Sequence, residues 1–138
     1  MKVAIRYFTK SKKGNTFKLA KAVEEAAKVE AKTVESDLEE KADILFLVNA
    51  MYAFTIDAEV KNFLSRNKDK IGTLYNVNSA ASGSSTLKAV RKASKDLGFE
   101  ISDKEFHCAG SWISMNKGRP NEEDLNRLRQ FVGSILAE

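Results

Sequence analysis

Asp43-Ile44-Leu45-Phe46-Leu47-Val48-Asn49 decides the fold. An unbroken apolar run between two polar ends reads as a strand covered on both faces, because a strand with one wet face would alternate apolar with polar. Downstream the period changes. Val60, Phe63 and Leu64 share one helical face, and Asp57 stands where an N-cap belongs. Upstream lies the same kind of unit. Val3–Phe8 reads as a buried strand, Lys10–Asn15 as a polar loop containing Gly14, and the text from Thr16 as a helix with Leu19, Val23, Ala26 and Ala27 at helical spacing. Asn15 or Thr16 would cap that helix. Between the two units, Glu30–Val34 is a weak strand and Ser36–Lys41 is a turn.

The pattern continues toward the C-terminus. Ile71–Val77 reads as a strand, followed by a small-residue loop over Ser79–Ser84. Leu87, Val90 and Leu97 mark a helix that Gly98 can end in the left-handed conformation. Glu105–Ala109 reads as the last strand. Pro120-Asn121 then opens a helix with Leu125, Leu128, Val132 and Ile135 inward. Glu122, Glu123 and Asp124 fall in its first turn, where negative charge suits the helix dipole. Strands alternating with helices imply parallel strands. The expectation is therefore an α/β fold, a doubly wound, five-stranded parallel sheet in three layers. Ligands of such sheets bind beyond the carboxyl ends of the strands. The loops that matter are then Thr9–Thr16, Ala50–Asp57, Ser79–Ser84 and Gly110–Arg119.

Composition agrees with one domain spanning residues 1–138. Hydrophobic residues make up 43% and charged residues 30%, ordinary values for a globular chain. A single Cys allows no internal disulfide and suits a reducing compartment. No apolar run approaches the roughly 20 residues of a membrane span. Met1–Arg6 is too short and too charged for a signal peptide, so a cytoplasmic location is expected. The net charge of +4 is compatible with an anionic ligand, an acidic partner or nucleic acid, and selects none.

The loops exclude several chemistries. Neither GxxxxGK[ST] nor GxGxxG is present. A phospho-acceptor receiver needs carboxylates where this chain has Phe8-Thr9 and Asn49-Ala50. A cysteine phosphatase needs an Arg six residues after its Cys, and Cys108 is followed at that spacing by Ser114. His107 and Cys108 are neighbours on a strand, so they point to opposite faces and do not share a metal. No catalytic residue and no metal ligand is expected. What the first loop does offer is hydroxyls, a Gly and helix-terminal amides, which together suit an anion.

Tyr7-Phe8-Thr9, then Ser11, then Gly14-Asn15-Thr16, resembles the flavodoxin signature of an aromatic strand end, a hydroxyl residue and T-G-N-T. Lys18–Val23 is similar to the helix that follows it, and Ala42–Val48 to the family's third strand. Phe106-His107-Cys108-Ala109-Gly110-Ser111-Trp112 and Lys117–Leu125 resemble the C-terminal part of short-chain flavodoxin-like proteins. The resemblance runs in order over essentially the whole chain.

It implies strand order 2-1-3-4-5 and a non-covalently bound FMN. By position, Thr9, Ser11, Gly14, Asn15 and Thr16 would surround the ribityl phosphate. Ala50, Met51, Tyr52 and Ala53 would flank one face of the flavin. Asn78, Ser79, Ala80, Ala81, Ser82 and Gly83 would meet its edge and other face. Trp112 would cover that face, since the fourth-strand loop has no aromatic. The implied function is an electron carrier between redox partner proteins, a monomer or weak dimer, acting on neither nucleic acid nor membrane. Two alternatives share the fold: an FMN-dependent NAD(P)H:quinone-type reductase, and a module that has lost FMN and binds another anion or a protein. Two departures from the family stand out. Lys12-Lys13 looks like an insertion before Gly14, and the chain is basic where electron-carrier flavodoxins are usually acidic.

Overall fold

The computed structural model describes residues 1–10, 14–51, 55–111 and 116–138. Six strands form one sheet: β1 (Val3–Tyr7), β2 (Ala31–Thr33), β3 (Ala42–Ala50), β4 (Ile71–Ala80), β5 (Glu100–Ile101) and β6 (Phe106–Ala109). Their order is β2-β1-β3-β4-β5, with β6 also beside β4, and every pairing is parallel. Four α-helices connect them: α1 (Asn15–Ala27), α2 (Ala58–Asn67), α3 (Leu87–Leu97) and α4 (Glu122–Leu136).

The alternation of β3 explains the layers. Ile44, Phe46 and Val48 pack with Leu19 and Val23 of α1 and Leu128 and Val132 of α4. Leu45 and Leu47 point the other way, toward Val60, Phe63 and Leu64 of α2 and Val90 of α3. Each fully buried side chain of this size contributes about 1.5–3 kcal/mol of transfer free energy. A strand with both faces covered by helices has no use for polar alternation, which is why this stretch reads as a solid apolar run.

The five-position order 2-1-3-4-5 is the one expected, and among the described residues its fifth position is split between β5 and β6. Thr73 faces Glu100 and Val77 faces Phe106. Four steps along β4 are therefore matched by six along its neighbour, so two residues are extra. β3 occupies the other side of β4 over Ile71–Ser79, which leaves β5 and β6 in tandem on one edge. The polar run Ser102-Asp103-Lys104 makes the break: the Lys104 amide donates to Ser102 Oγ at 3.0 Å, a local turn that competes with the ladder.

One expectation needs correction: β4 continues through Ala80 rather than stopping at Val77. Ser79 and Ala80, expected to open a loop, are its last residues. Asn76 and Asn78 interrupt the apolar pattern, yet both are fully buried. Their side-chain amides are satisfied, Asn76 by the side chains of Asn49 and Thr86 and Asn78 by the Ser84 carbonyl and the Thr86 amide, so the strand carries them at no unpaired cost.

The turn after β2 forms as expected, without a helix. Buried Arg6 of β1 holds it, donating through Nε to Ser36 O at 2.8 Å and through Nη2 to Asp37 O at 3.1 Å. Among the described residues, no helix is long and apolar enough to cross a membrane.

Candidate functional site at the strand ends

β1, β3, β4 and β6 all end on the same side of the sheet, because they run parallel. The connections that leave these ends are tied to one another. Lys10 Nζ lies 3.6 Å from Asp57 Oδ2, joining the first loop to the second. The Met51 amide donates to Ser79 O at 3.2 Å, joining the second to the end of β4. Asn116 Nδ2 donates to Ala81 O at 2.6 Å, and His107 Nδ1 lies 3.0 Å from Gly83 O, joining the third loop to β6 and the loop beyond it. Asn15 Nδ2 donates to Ser111 O at 2.9 Å, and Ser111 Oγ to Asn15 Oδ1 at 3.2 Å, which closes the ring back on α1. Gly110 makes that last closure possible, since a Cβ there would stand 2.8 Å from Asn15 Nδ2.

The starts of α1 and α3 both lack a side-chain bond from the N-cap residue and an acid in the first turn, but at α3 a neighbouring hydroxyl, Ser85, takes a free amide. Gly14 holds the N-cap position in extended backbone, with no side-chain cap. Neither Asn15 nor Thr16 caps the helix, contrary to expectation: Asn15 is turned to Ser111, and Thr16 is buried inside the first turn. No acid lies in that turn either. By contrast, Asp57 caps α2 and Glu59 follows it. In α3 the Leu87 amide donates to Ser85 Oγ. At α4, Asn121 and Asp124 form a reciprocal capping box, with Glu122 and Glu123 alongside. The positive end of α1 is thus not neutralised by any side chain of its own first turn, and an anion there gains about 0.3–2 kcal/mol from the helix end alone.

The other expected residues fall as follows. Thr9 is half-buried beside this end, and Ala50 and Met51 are half-buried at the end of β3. Asn78, Ser79 and Ala80 are buried, so their side chains support the rim rather than form its surface. Asn78 fixes the loop that follows, donating through Nδ2 to Ser84 O at 3.0 Å and accepting from the Thr86 amide at 3.3 Å. Ala81, Ser82 and Gly83 form the exposed or half-buried turn, and Gly83 has φ +76°, in the left-handed region. Ser11, Lys12, Lys13, Tyr52, Ala53 and Trp112 lie outside the described residues.

Below the rim runs a buried polar network that the sequence did not announce. Asn49 Nδ2 donates to Asn76 Oδ1 at 2.8 Å, and Asn76 Nδ2 to Thr86 Oγ1 at 3.0 Å. Thr86 Oγ1 donates in turn to Asn49 Oδ1 at 2.6 Å, closing a triangle across β3, β4 and the cap of α3. Glu105 joins it, accepting from Asn76 Nδ2 at 3.3 Å and from Ser85 Oγ at 2.7 Å. The only hint in the sequence was polar residues at the ends of otherwise apolar strands.

A second cluster anchors the far side. Arg119 grips Asp124 with both Nε and Nη2 at 2.7 Å, and Arg127 Nη2 adds a third bond at 2.7 Å. These partners, Arg119 foremost, hold the Asp124 carboxyl well below the usual carboxylate range. Burial, with the nearby Asp124 charge, pushes the Cys108 thiol up to about 11. A thiol so raised is unreactive at neutral pH, consistent with Cys108 as a core residue and His107 on the exposed face.

No family model matches the sequence, and no curated protein matches it. Solved structures do. A flavodoxin from the domain Archaea superposes with a TM-score of 0.73 at 13% identity, covering 99% of this chain and 97% of that one. The chain has the flavodoxin fold. Flavodoxin 2 from Bacillus cereus agrees, with a TM-score of 0.71 at 13% identity over 99% of each chain. An NAD(P)H:quinone oxidoreductase from Methanothermobacter marburgensis matches with a TM-score of 0.67 at 14% identity over 98% of each chain. Proteins named flavodoxins and an NAD(P)H:quinone oxidoreductase therefore share this fold.

Proposed function

We propose that this chain is an FMN-binding electron carrier, working as one flavodoxin-like domain between redox partner proteins in the cytoplasm. The observation that carries the reading is the start of α1. It has no capping side chain and no acid, it stands inside the ring of tied loops, and the loop before it contains Thr9, Ser11 and three lysines. That donor set suits a phosphate dianion. In this reading Thr9, Ser11, Gly14, Asn15 and Thr16 hold the FMN phosphate, Gly14 and Thr16 through backbone amides. Ala50, Met51, Tyr52 and Ala53 lie along one face of the ring. The turn Ala81–Gly83 meets the ring edge, with Asn78, Ser79 and Ala80 holding it in place, and Trp112 covers the remaining face.

Bound FMN supplies the redox chemistry, and the protein supplies position and electrostatics. Asn15 has a double task, keeping the loop after β6 closed over the site while its backbone amide faces the phosphate. The buried network fixes the ends of β3 and β4, so the two flanking loops start from rigid points.

The likeness to a quinone oxidoreductase keeps a second reading, an FMN-dependent NAD(P)H:quinone-type reductase. Steady-state NADH or NADPH oxidation by the FMN-loaded chain with a quinone separates the two. Turnover that saturates in nicotinamide supports the reductase. A chain that exchanges electrons with small redox proteins but does not oxidise NAD(P)H supports the carrier.

A further inference from the structure

A groove of about 740 Å³ lies between α2 and α3, outside the ring of loops. Its floor includes Ala89 and Ala93, small residues one turn apart that leave the two helices a channel rather than a packed seam. Its walls are cationic. Lys61 comes from α2, and Lys88, Arg91, Lys92 and Lys95 come from α3. The spacing of those four, i, i+3, i+4 and i+7, draws one stripe along a helix face. The carboxylates nearby are Asp96, paired with Lys92, Asp103, paired with Arg91, and Glu105, which accepts from Ser85 Oγ. Both pairs are exposed and worth little. Lys61, Lys88 and Lys95 have no ion-pair partner among the described residues. Five cations against three carboxylates leave an excess of two.

The upper end of the groove is formed by Thr55, Ser85 and Thr86. Those residues belong to the connections that leave β3 and β4, the two expected to flank the flavin. A partner lying in the groove therefore reaches the rim of the candidate site. We infer that the α2–α3 groove is the docking surface for an acidic redox protein, an inference that rests on the carrier reading above. The stripe from Lys88 to Lys95 is about 10 Å long at 1.5 Å per residue, close to the Debye length of about 10 Å at 0.1 M salt. Its charges act together at low ionic strength and separately at high. Such a patch governs encounter rate and partner choice more than contact area does.

The test is calorimetric titration of the full chain, with FMN added, against an acidic [2Fe–2S] ferredoxin, with basic cytochrome c and a short DNA duplex as comparison probes. Amide chemical shifts of the labelled chain locate the contact. The groove predicts that ferredoxin binds through α3, and that Lys61→Glu, Lys88→Glu and Lys95→Glu together weaken it at least tenfold at low salt. The gap should close at high salt, and cytochrome c should gain where ferredoxin loses. All three lysines are exposed, so the variant should fold. Ferredoxin binding that is unchanged by the reversals overturns the groove. Tighter binding of the duplex than of ferredoxin at physiological salt overturns a protein partner in favour of nucleic acid. The absorption spectrum of the same samples reports the cofactor separately. A colourless chain that still binds ferredoxin through α3 keeps the surface and removes the cofactor. A yellow chain with no charge-dependent binding does the reverse.

Discussion

Asp124 shows what one side chain does for the loop beside the site. It accepts from the Asn121 amide to complete the capping box, and it takes both arms of Arg119 and one of Arg127. Asp124→Ala removes the reciprocal half of the capping box and breaks a strong bidentate pair, so a loss of about 2 kcal/mol in denaturant stability at pH 7 is expected. The pH dependence has a definite sign. A carboxylate held low in the folded state stabilises above its unfolded pKa of about 3.9, and that contribution fades as pH falls below it. Native and Asp124→Ala stabilities should therefore converge on acidification from pH 5 toward pH 2. Gly14 makes the opposite kind of prediction. Its backbone is extended, φ −79° and ψ −173°, which any residue adopts. Gly14→Val should change denaturant stability by less than about 0.5 kcal/mol, yet weaken FMN binding several-fold by crowding the phosphate. Proportional losses in both would make Gly14 a structural turn. Arg119, at the end of the Gly110–Arg119 loop, is committed to Asp124.

Among the elements, those defined by apolar periodicity were legible and those defined by polar burial were not. β3 and the inward faces of α1, α2 and α4 follow from Ile44–Val48, Leu19, Val23, Phe63, Leu128 and Val132, because burial on two sheet faces leaves a continuous signature. The sequence pattern ends β4 short because Asn78 and Ser79 look like loop residues. Only the structure shows that Asn49, Thr86 and Glu105 receive the Asn76 side chain, while Ser84 and Thr86 receive Asn78. A partner distant in sequence leaves no local mark. The same holds for β5, whose two residues carry no period. At the site, the hydroxyl and glycine text of the first loop was legible. The closure by Ser111 and Asn116 was not, since its bonds run to residues 96 and 35 positions away. Asn76→Leu tests the network. It deletes the Asn76 bonds to Asn49, Thr86 and Glu105 and sets an apolar side chain among their buried polar groups, so a loss of at least about 2 kcal/mol is expected in chemical denaturation. An unchanged midpoint would mean that the network relaxes without strain.

At the scale of the molecule, the tied ring of loops and the uncapped start of α1 lie at one end of the sheet, while the cationic groove descends one flank from that end. The geometry separates two jobs, cofactor at the strand ends and partner along α2 and α3, on a chain that carries a surplus of cations along that flank. The central claim is the phosphate site at α1, and calorimetric titration of the purified chain with FMN and with riboflavin tests it most directly. Both share the ring and differ by the phosphate, so the helix end and loop hydroxyls act on FMN alone. The account predicts a yellow protein that survives desalting and binds FMN at least tenfold more tightly than riboflavin, a difference of about 1.4 kcal/mol or more. Equal affinity for the two, or no retained flavin, would contradict it.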